Sequence, residues 1–323
     1  MNVNTSASYS KKELKEIKKN RRIKTRNRVV ASWQLYVFLI LPLVYLILFH
    51  YYPMVGAQIA FRKYKAVKGM WRSDWVGLYQ FKKMFSTPKF FDVFKNTLTL
   101  SIYSLVINTP ASIIFALCLN AVRNKYFKKS IQMLSYMPHF ISTVIMVGLL
   151  IQILNPRVGL YGQIASMLGL TATDLFSNPD AFPHVYVFSA TWQGLGWSSI
   201  IYIAALSSVD TELYDASQID GATRFQQLIH IDFPSILPTV VTLLILNVGK
   251  VMSVGYEKVL LMQNPLNLST SEIIGTYSYK VGLQSGTDYS YGAAIGLFNS
   301  VVNFILLITV NKISKKVTET SLW

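Results

Sequence analysis

The chain has 323 residues, 52% of them hydrophobic and only 14% charged. A soluble domain carries about a quarter charged residues, so this composition, with a mean hydropathy of +0.36, excludes an ordinary soluble fold and points to a membrane protein. The net charge of +16 does not indicate nucleic acid, because ten of the 31 Lys and Arg fall between residues 11 and 28, in KKELKEIKKNRRIKTRNR, a stretch without aromatics just ahead of the first apolar run.

That basic tail, 1–32, reads as a cytoplasmic anchor. The apolar run after it, 33–52, is longer than a signal-peptide core and has no small-x-small cleavage site behind it, so it reads as a retained span. Five further runs are long enough to cross about 30 Å of hydrocarbon: 93–119, 131–154, 184–206, 235–255 and 292–313. The expected fold is therefore an all-α membrane protein of six transmembrane helices. Residues 33–91 hold the first span and an outer loop, 92–314 a five-helix core, and 315–323 a second tail. With both termini cytoplasmic, inner segments carry eighteen Lys and Arg and outer segments ten, a bias that supports this orientation.

The outer loop 54–92 carries Trp71, Trp75, Tyr79 and Phe81 and is expected to lie amphipathically on the membrane surface. Cys118, the sole cysteine, sits in an apolar run and reads as a buried, inert thiol. His139, in MPHF, is expected to cap or pack near the inner end of the third span. The outer loops 155–183 and 260–291, the latter with NPLNLSTSE, read as ordinary connections.

Span four is interrupted by TWQGLGWSS. Trp192 and Trp197 offer flat faces for a sugar ring, Gln193 can bond hydroxyls, and Gly194 and Gly196 permit close backbone approach. The plain alternative is that both tryptophans pack against other helices. In span five, Asn247, Lys250 and Ser253 recur at threes and would share a face. A lysine in mid-helix costs about 2.5–3.5 kcal/mol on insertion scales and seldom faces lipid. Its partner could be an anionic sugar such as a uronate, Glu257 two turns further on, or an acid of a partner subunit. Asn299 and Asn303 in span six form an i, i+4 pair that would serve as interhelical glue.

Between spans four and five lies ELYDASQIDGATRFQQLIHIDFP, residues 212–234. It is too polar to cross a membrane. Asp210 is placed to cap a helix over 212–219, with Glu212 in its first turn. Gly221 offers a bend, and Ile219, Ala222, Phe225, Leu228 and Ile229 continue an apolar stripe beyond it. Pro234 marks the expected entry to span five. The predicted structure is a short helix, a bend and a second short helix on the inner membrane surface, 211–230.

The order Asp215-Ala216-Ser217, three residues, Gly221, nine residues, Ile231, one residue, Phe233-Pro234 resembles the signature cytoplasmic loop of ABC-importer permeases. The family pattern is Glu-Ala-Ala, three residues, Gly, nine residues, Ile, one residue, Leu-Pro. Asp, Ser and Phe replace Glu, Ala and Leu here. LILPLVYLILFHYYPMVGAQIAFRKYK, WVGLYQFKKMF and LSYMPHFISTVIMVGLL resemble oligosaccharide permeases of Gram-positive bacteria. The resemblance covers nearly the whole chain after residue 32. It implies the type I importer fold and a multi-pass protein of the cell membrane. It also implies four kinds of partner: a second homologous permease, two ATPase subunits, an extracellular sugar-binding lipoprotein, and an oligosaccharide substrate. In that family the loop is the coupling helix that docks in a cleft of the ATPase. Glu212, Asp215, Ala216, Ser217, Asp220, Gly221, Ala222 and Arg224 would form it, with Asp215 meeting a basic residue of the ATPase. The substrate path would draw on Trp192, Gln193, Gly194, Trp197, Asn247, Lys250, Ser253 and Glu257.

No enzyme site is legible. His50, His139, His184 and His230 are scattered, and H-E-x-x-H, G-x-x-x-x-G-K-[ST] and G-x-S-x-G are absent from the sequence. No cofactor is expected, and ATP would be hydrolysed on a separate subunit. An ion-gradient transporter would want several intramembrane acids, and a membrane enzyme clustered acids or histidines; neither pattern stands out. A permease of the same fold for amino acids or phosphate remains the other alternative.

Overall fold

A computed structural model describes residues 16, 19, 20, 24, 27, 28 and 30–322, apart from 287 and 319. The basic tail therefore lies mostly outside the described residues. The chain divides into two compact units, Met1–Gln58 and Ile59–Trp323.

In the first unit, α1 (Trp33–Leu46) passes through a π-turn at Ile47–Tyr51 and a last turn at Tyr52–Met54. It buries no side chain and is apolar on all sides, as a span is.

In the second unit, the loop after residue 58, expected on the outer side, is not purely helical. Arg62–Lys63 and Asp74–Trp75 pair as a short antiparallel ribbon, a departure from the all-α expectation. The Arg62 guanidinium donates to the carbonyls of Trp71 and Ser73 and stands over the Trp75 ring, so the loop is folded on itself.

α2 (Pro88–Ala121) starts with proline at its first position, where the missing N–H costs nothing. Cys118 on it is exposed rather than buried, on the same open face as Ile114 one turn earlier. The third expected span is broken. α3 (Lys125–Tyr136) is capped by Asn124, whose Oδ1 accepts the N–H groups of Tyr126 and Phe127 at 3.0 and 3.2 Å. A 3-10 turn, Met137–Phe140, follows, and α4 (Thr143–Ile153) leaves at 101°. Pro138 cannot donate to the ladder, and Ser142 recaps the chain through the Ile145 N–H.

α5 (Phe182–Leu206) packs along α2. Its 25 residues extend about 37 Å at 1.5 Å each. Its polar middle, TWQGLGWSS, keeps it out of the helices that are apolar enough over 18 consecutive residues to cross a membrane. The reason is positional: Tyr186, Ser189, Gly196, Ser199 and Tyr202 are buried against protein rather than lipid.

α6 (Thr211–Ile219) is the helix of the polar loop between α5 and the next long helix. The expected second short helix is continuous with the next span: Arg224–Gln227, a π-turn at Leu228–Asp232 and α7 (Phe233–Val248) form one 25-residue helix. It ends at Val248, before Lys250. Short helices at Tyr256–Met262, Leu268–Ser271 and Ile274–Tyr279 precede α8 (Tyr289–Thr318). A Cβ on Gly292 would meet the Gly282 Cα at 2.7 Å, so these two backbones touch only as glycines.

Among the described residues, four helices are long and apolar enough to cross a membrane, five if α3 and α4 count as one bent span. Three clusters form the core, centred on Leu100–Tyr186–Val259, Phe90–Met252–Ile295 and Ile113–Tyr202–Ile236.

Candidate functional site

The loop between α5 and α7 is built by local rules. Asp210 Oδ1 accepts the Glu212 N–H at 3.0 Å and starts α6. At its other end the Ala222 N–H reaches the Ser217 carbonyl at 2.9 Å and the Gly221 N–H the Gln218 carbonyl at 3.1 Å. This is a Schellman closure, and it requires the left-handed backbone that Gly221 adopts at φ +74°. Thr223 then starts the next helix with a capping box to Gln226.

Glu212, Asp215, Ala216, Asp220, Gly221 and Arg224 are exposed, and Ser217 and Ala222 are half-buried. Ile219 and Phe225 flank the bend at 87% and 70% exposure. Among the described residues, nothing forms an ion pair with Glu212, Asp215 or Asp220. The helix is nevertheless firmly attached. The Tyr214 hydroxyl donates to the buried Asp232 carboxylate at 2.5 Å, and Asn120 donates to the same oxygen at 3.4 Å. Gln227 donates to Ser217 Oγ at 2.8 Å, and Arg224 to the Ala121 carbonyl at 3.4 Å. Burial first, then the bond to Asp232, pushes the Tyr214 phenol up to about 12. The loop thus presents its carboxylates and apolar side chains outward while bolted to the C-terminal end of α2 and the start of α7.

The second feature is a pair of polar cavities of about 300 and 590 Å³ that share Asn108, Thr109, Ser198, Asn247 and Lys250. Lys250 and Asn247 come together there because α7 stops at Val248 and the chain turns, with the Lys250 N–H on the Asn247 carbonyl at 3.0 Å. Lys250 is therefore not in mid-helix, and no shared helical face carries it to Glu257. Glu257 is exposed and, among the described residues, forms no ion pair with Lys250. Ser253 accepts from Asn303 Nδ2 at 2.9 Å, while Asn303 Oδ1 takes the Met252 N–H; Asn303 thus ties α8 to the turn after α7 rather than to another helix, because α7 has already ended at Val248. Asn299 instead lines a separate groove beside Tyr256 and Tyr279.

Of the span-four residues, Trp197 lines the larger cavity, with His139 stacked on it at 4.4 Å and Phe140 against its edge. Gln193 donates to the Ile141 carbonyl at 3.0 Å, and Gly196 is buried against the Ser135 carbonyl. The WQGLGW stretch therefore holds the bend between α3 and α4 against α5. Gly194 has open space beside it, and Trp192 lies in a wholly apolar depression with Leu150, Leu154 and Phe188.

The cavity also uses Ser101, Ser104, Asn108 and Thr109 of α2, which sequence reasoning passed over. Their signal was a small-polar stripe at spacings of three and four, continuing to Ser112. Asn108 accepts from Thr191 of α5, and the buried Ser104 hydroxyl has no protein partner among the described residues.

Long apolar helices beside a cavity into which Asn108, Asn247 and Lys250 project, with an exposed loop fixed to two of them, define a multi-pass membrane transport protein. The family described as binding-protein-dependent transport system inner membrane component matches residues 108–319, and this chain belongs to it. It is 40% identical to Protein LplB of Bacillus subtilis (strain 168), over 90% of this chain and 91% of that protein. It is 39% identical to the polygalacturonan/rhamnogalacturonan transport system permease protein YteP of the same organism, over 95% of both. Among solved structures it is similar to a chain of a bacterial alginate ABC transporter, crystallised with an alginate pentasaccharide-bound periplasmic protein. The TM-score is 0.84 and the identity 35%, covering 92% of this chain and 99% of that one.

Proposed function

We propose that this chain is one permease half of an ATP-driven, binding-protein-dependent importer that carries oligosaccharides, acidic ones included, across the cell membrane of a Gram-positive bacterium. The observation that carries the reading is the loop at α6: capped at both ends, exposed along its acidic face, and bolted to α2 and α7. A separate ATPase subunit docks there. Asp215 meets a basic group, while Ala216, Ser217 and Ala222 give the compact face that enters a cleft. Because Tyr214, Gln227 and Arg224 tie the loop to two helices, a displacement of α6 moves α2 and α7 with it. Those same helices carry Asn108 and Asn247, with Lys250 just beyond α7, so motion at the loop reshapes the cavity.

Six spans follow if α5 and the bent α3–α4 pair are added to the four apolar helices, with both termini cytoplasmic. A second, homologous permease completes the path, and an extracellular sugar-binding lipoprotein delivers the substrate. ATP binding moves the pair between states, and only the difference in affinity between those states does work. The relatives named for polygalacturonan/rhamnogalacturonan and alginate support an acidic sugar, and a lysine in the cavity lining, Lys250, supports a role for it in meeting the sugar's carboxylate.

The test is co-purification of the tagged chain with the ATPase from its own cells, together with Gly221→Pro. Proline has φ near −65° and no N–H, so it can neither adopt +74° nor close on Gln218. Loss of the ATPase, or futile ATP hydrolysis without uptake, is expected. A Gly221→Pro complex that retains its ATPase and imports normally overturns the reading.

A further inference from the structure

Three charged side chains are buried among the described residues: Asp232, Glu272 and Lys258. Asp232 is met by Tyr214 and Asn120, and Glu272 by Lys89 at 2.6 Å and Lys280 at 3.3 Å. Lys258 has no carboxylate partner among them. Its ammonium stands 3.5 Å from the Tyr186 carbonyl and 5.2 Å from the centre of the Tyr186 ring. A cation taken out of water without a counter-charge is costly, and such groups mark functional places in membrane proteins.

The neighbours indicate its use. Tyr186, whose ring carries the ammonium, also lines the 300 Å³ cavity, together with Lys250 and Gly255. A side chain at Gly255 would meet the Tyr186 hydroxyl at 3.4 Å, so the tyrosine fills the space between Lys258 and that lining. The cavity has one lysine in its wall and a second behind a tyrosine, and no carboxylate lines it. Low-dielectric walls let such fixed charge act over distance.

We infer that Lys258, acting through the Tyr186 wall, is a charge-selecting residue of the path: its field makes the cavity favour sugars bearing carboxylates over neutral sugars of the same size. It is a positioning residue that touches no sugar. The inference rests on the proposed role of the cavity as the sugar path.

The experiment uses the complete transporter with its binding protein in proteoliposomes, comparing uptake of a short oligogalacturonate and of the matching neutral oligogalactoside. Lys258→Met should raise KM for the galacturonate about tenfold relative to the neutral sugar, and Lys258→Arg should restore the ratio. Lys258→Gln, neutral yet able to bond the Tyr186 carbonyl, provides the same comparison if the Met variant fails to assemble. An equal change for both sugars, or no change, overturns the inference while leaving the sugar path intact. A wild-type transporter that imports the neutral sugar and not the galacturonate overturns the acidic-sugar reading, and this inference with it.

Discussion

Two of the polar segments that interrupt this apolar chain, 207–223 and 263–276, are used in opposite ways. The segment 263–276 closes on itself. Asn267 is fully buried and uses all its capacity: its Nδ2 donates to the carbonyls of Phe176 and Met262, and its Oδ1 accepts from the Asn264 N–H and from Ser271. Thr270 donates to the Pro179 carbonyl, and Asn96 of α2 to those of Ser269 and Glu272. What read as an ordinary connection is a locked plate joining two loops. The segment 207–223 caps its helix ends through Asp210, Gly221 and Thr223, yet leaves Glu212, Asp215 and Asp220 free of ion pairs among the described residues and Ile219 bare. Hydrogen-bond capacity turned inward holds a fold together. Capacity and apolar surface turned outward await another molecule.

That contrast breaks or sharpens on substitution. The largest expected change in stability is at Asn267→Ala, which strands several buried partners at about 1–3 kcal/mol each. Thermal unfolding of the purified complex should shift strongly downward, and uptake should fall only as folded protein is lost. Ala216→Glu should behave in reverse: stability within about 0.5 kcal/mol of wild type, with ATPase retention and uptake abolished. If Asn267→Ala leaves unfolding unmoved, or Ala216→Glu unfolds the chain while sparing coupling, the two segments do not differ as described.

Much of the segment 211–230 was legible because its determinants are local. An Asp cap, an apolar stripe and a Gly are read within the twenty residues 210–229, and α6 and its bend lie where they indicate. Its attachments were not legible, since Tyr214–Asp232 and Arg224–Ala121 depend on how helices meet. The break at Pro138 was masked by apolar composition. Pro42, Pro110 and Pro238 sit inside continuous helices, so proline alone does not announce a break; here Ser142 completes it. Lys250 was placed in mid-helix although Gly249 stands directly before it, and the helix ends there. For the cavity, the lysine and Asn247 stood out against an apolar background, whereas the hydroxyls of α2 did not, because serine in a span usually bonds its own helix, as Ser112 does to Asn108.

The smallest expected effect concerns the attachment itself. Tyr214→Phe removes the shorter of the two bonds to the buried Asp232 and leaves Asn120 at 3.4 Å. The cost is about 1–2 kcal/mol, with the loop still presented but less tightly joined to α7. Sugar imported per ATP hydrolysed should fall, while ATPase binding should hold. The pH behaviour follows from the direction of the Tyr214 shift. Its phenol lies at about 12 in the folded protein, above its ordinary value near 10, so the bond's contribution is complete below pH 10 and disappears as pH rises through about 12. The gap in coupling between wild type and Tyr214→Phe should therefore stay constant from about pH 6 to 9. A gap that closes within that window would mean that something other than the Tyr214 hydroxyl joins the loop to its helix.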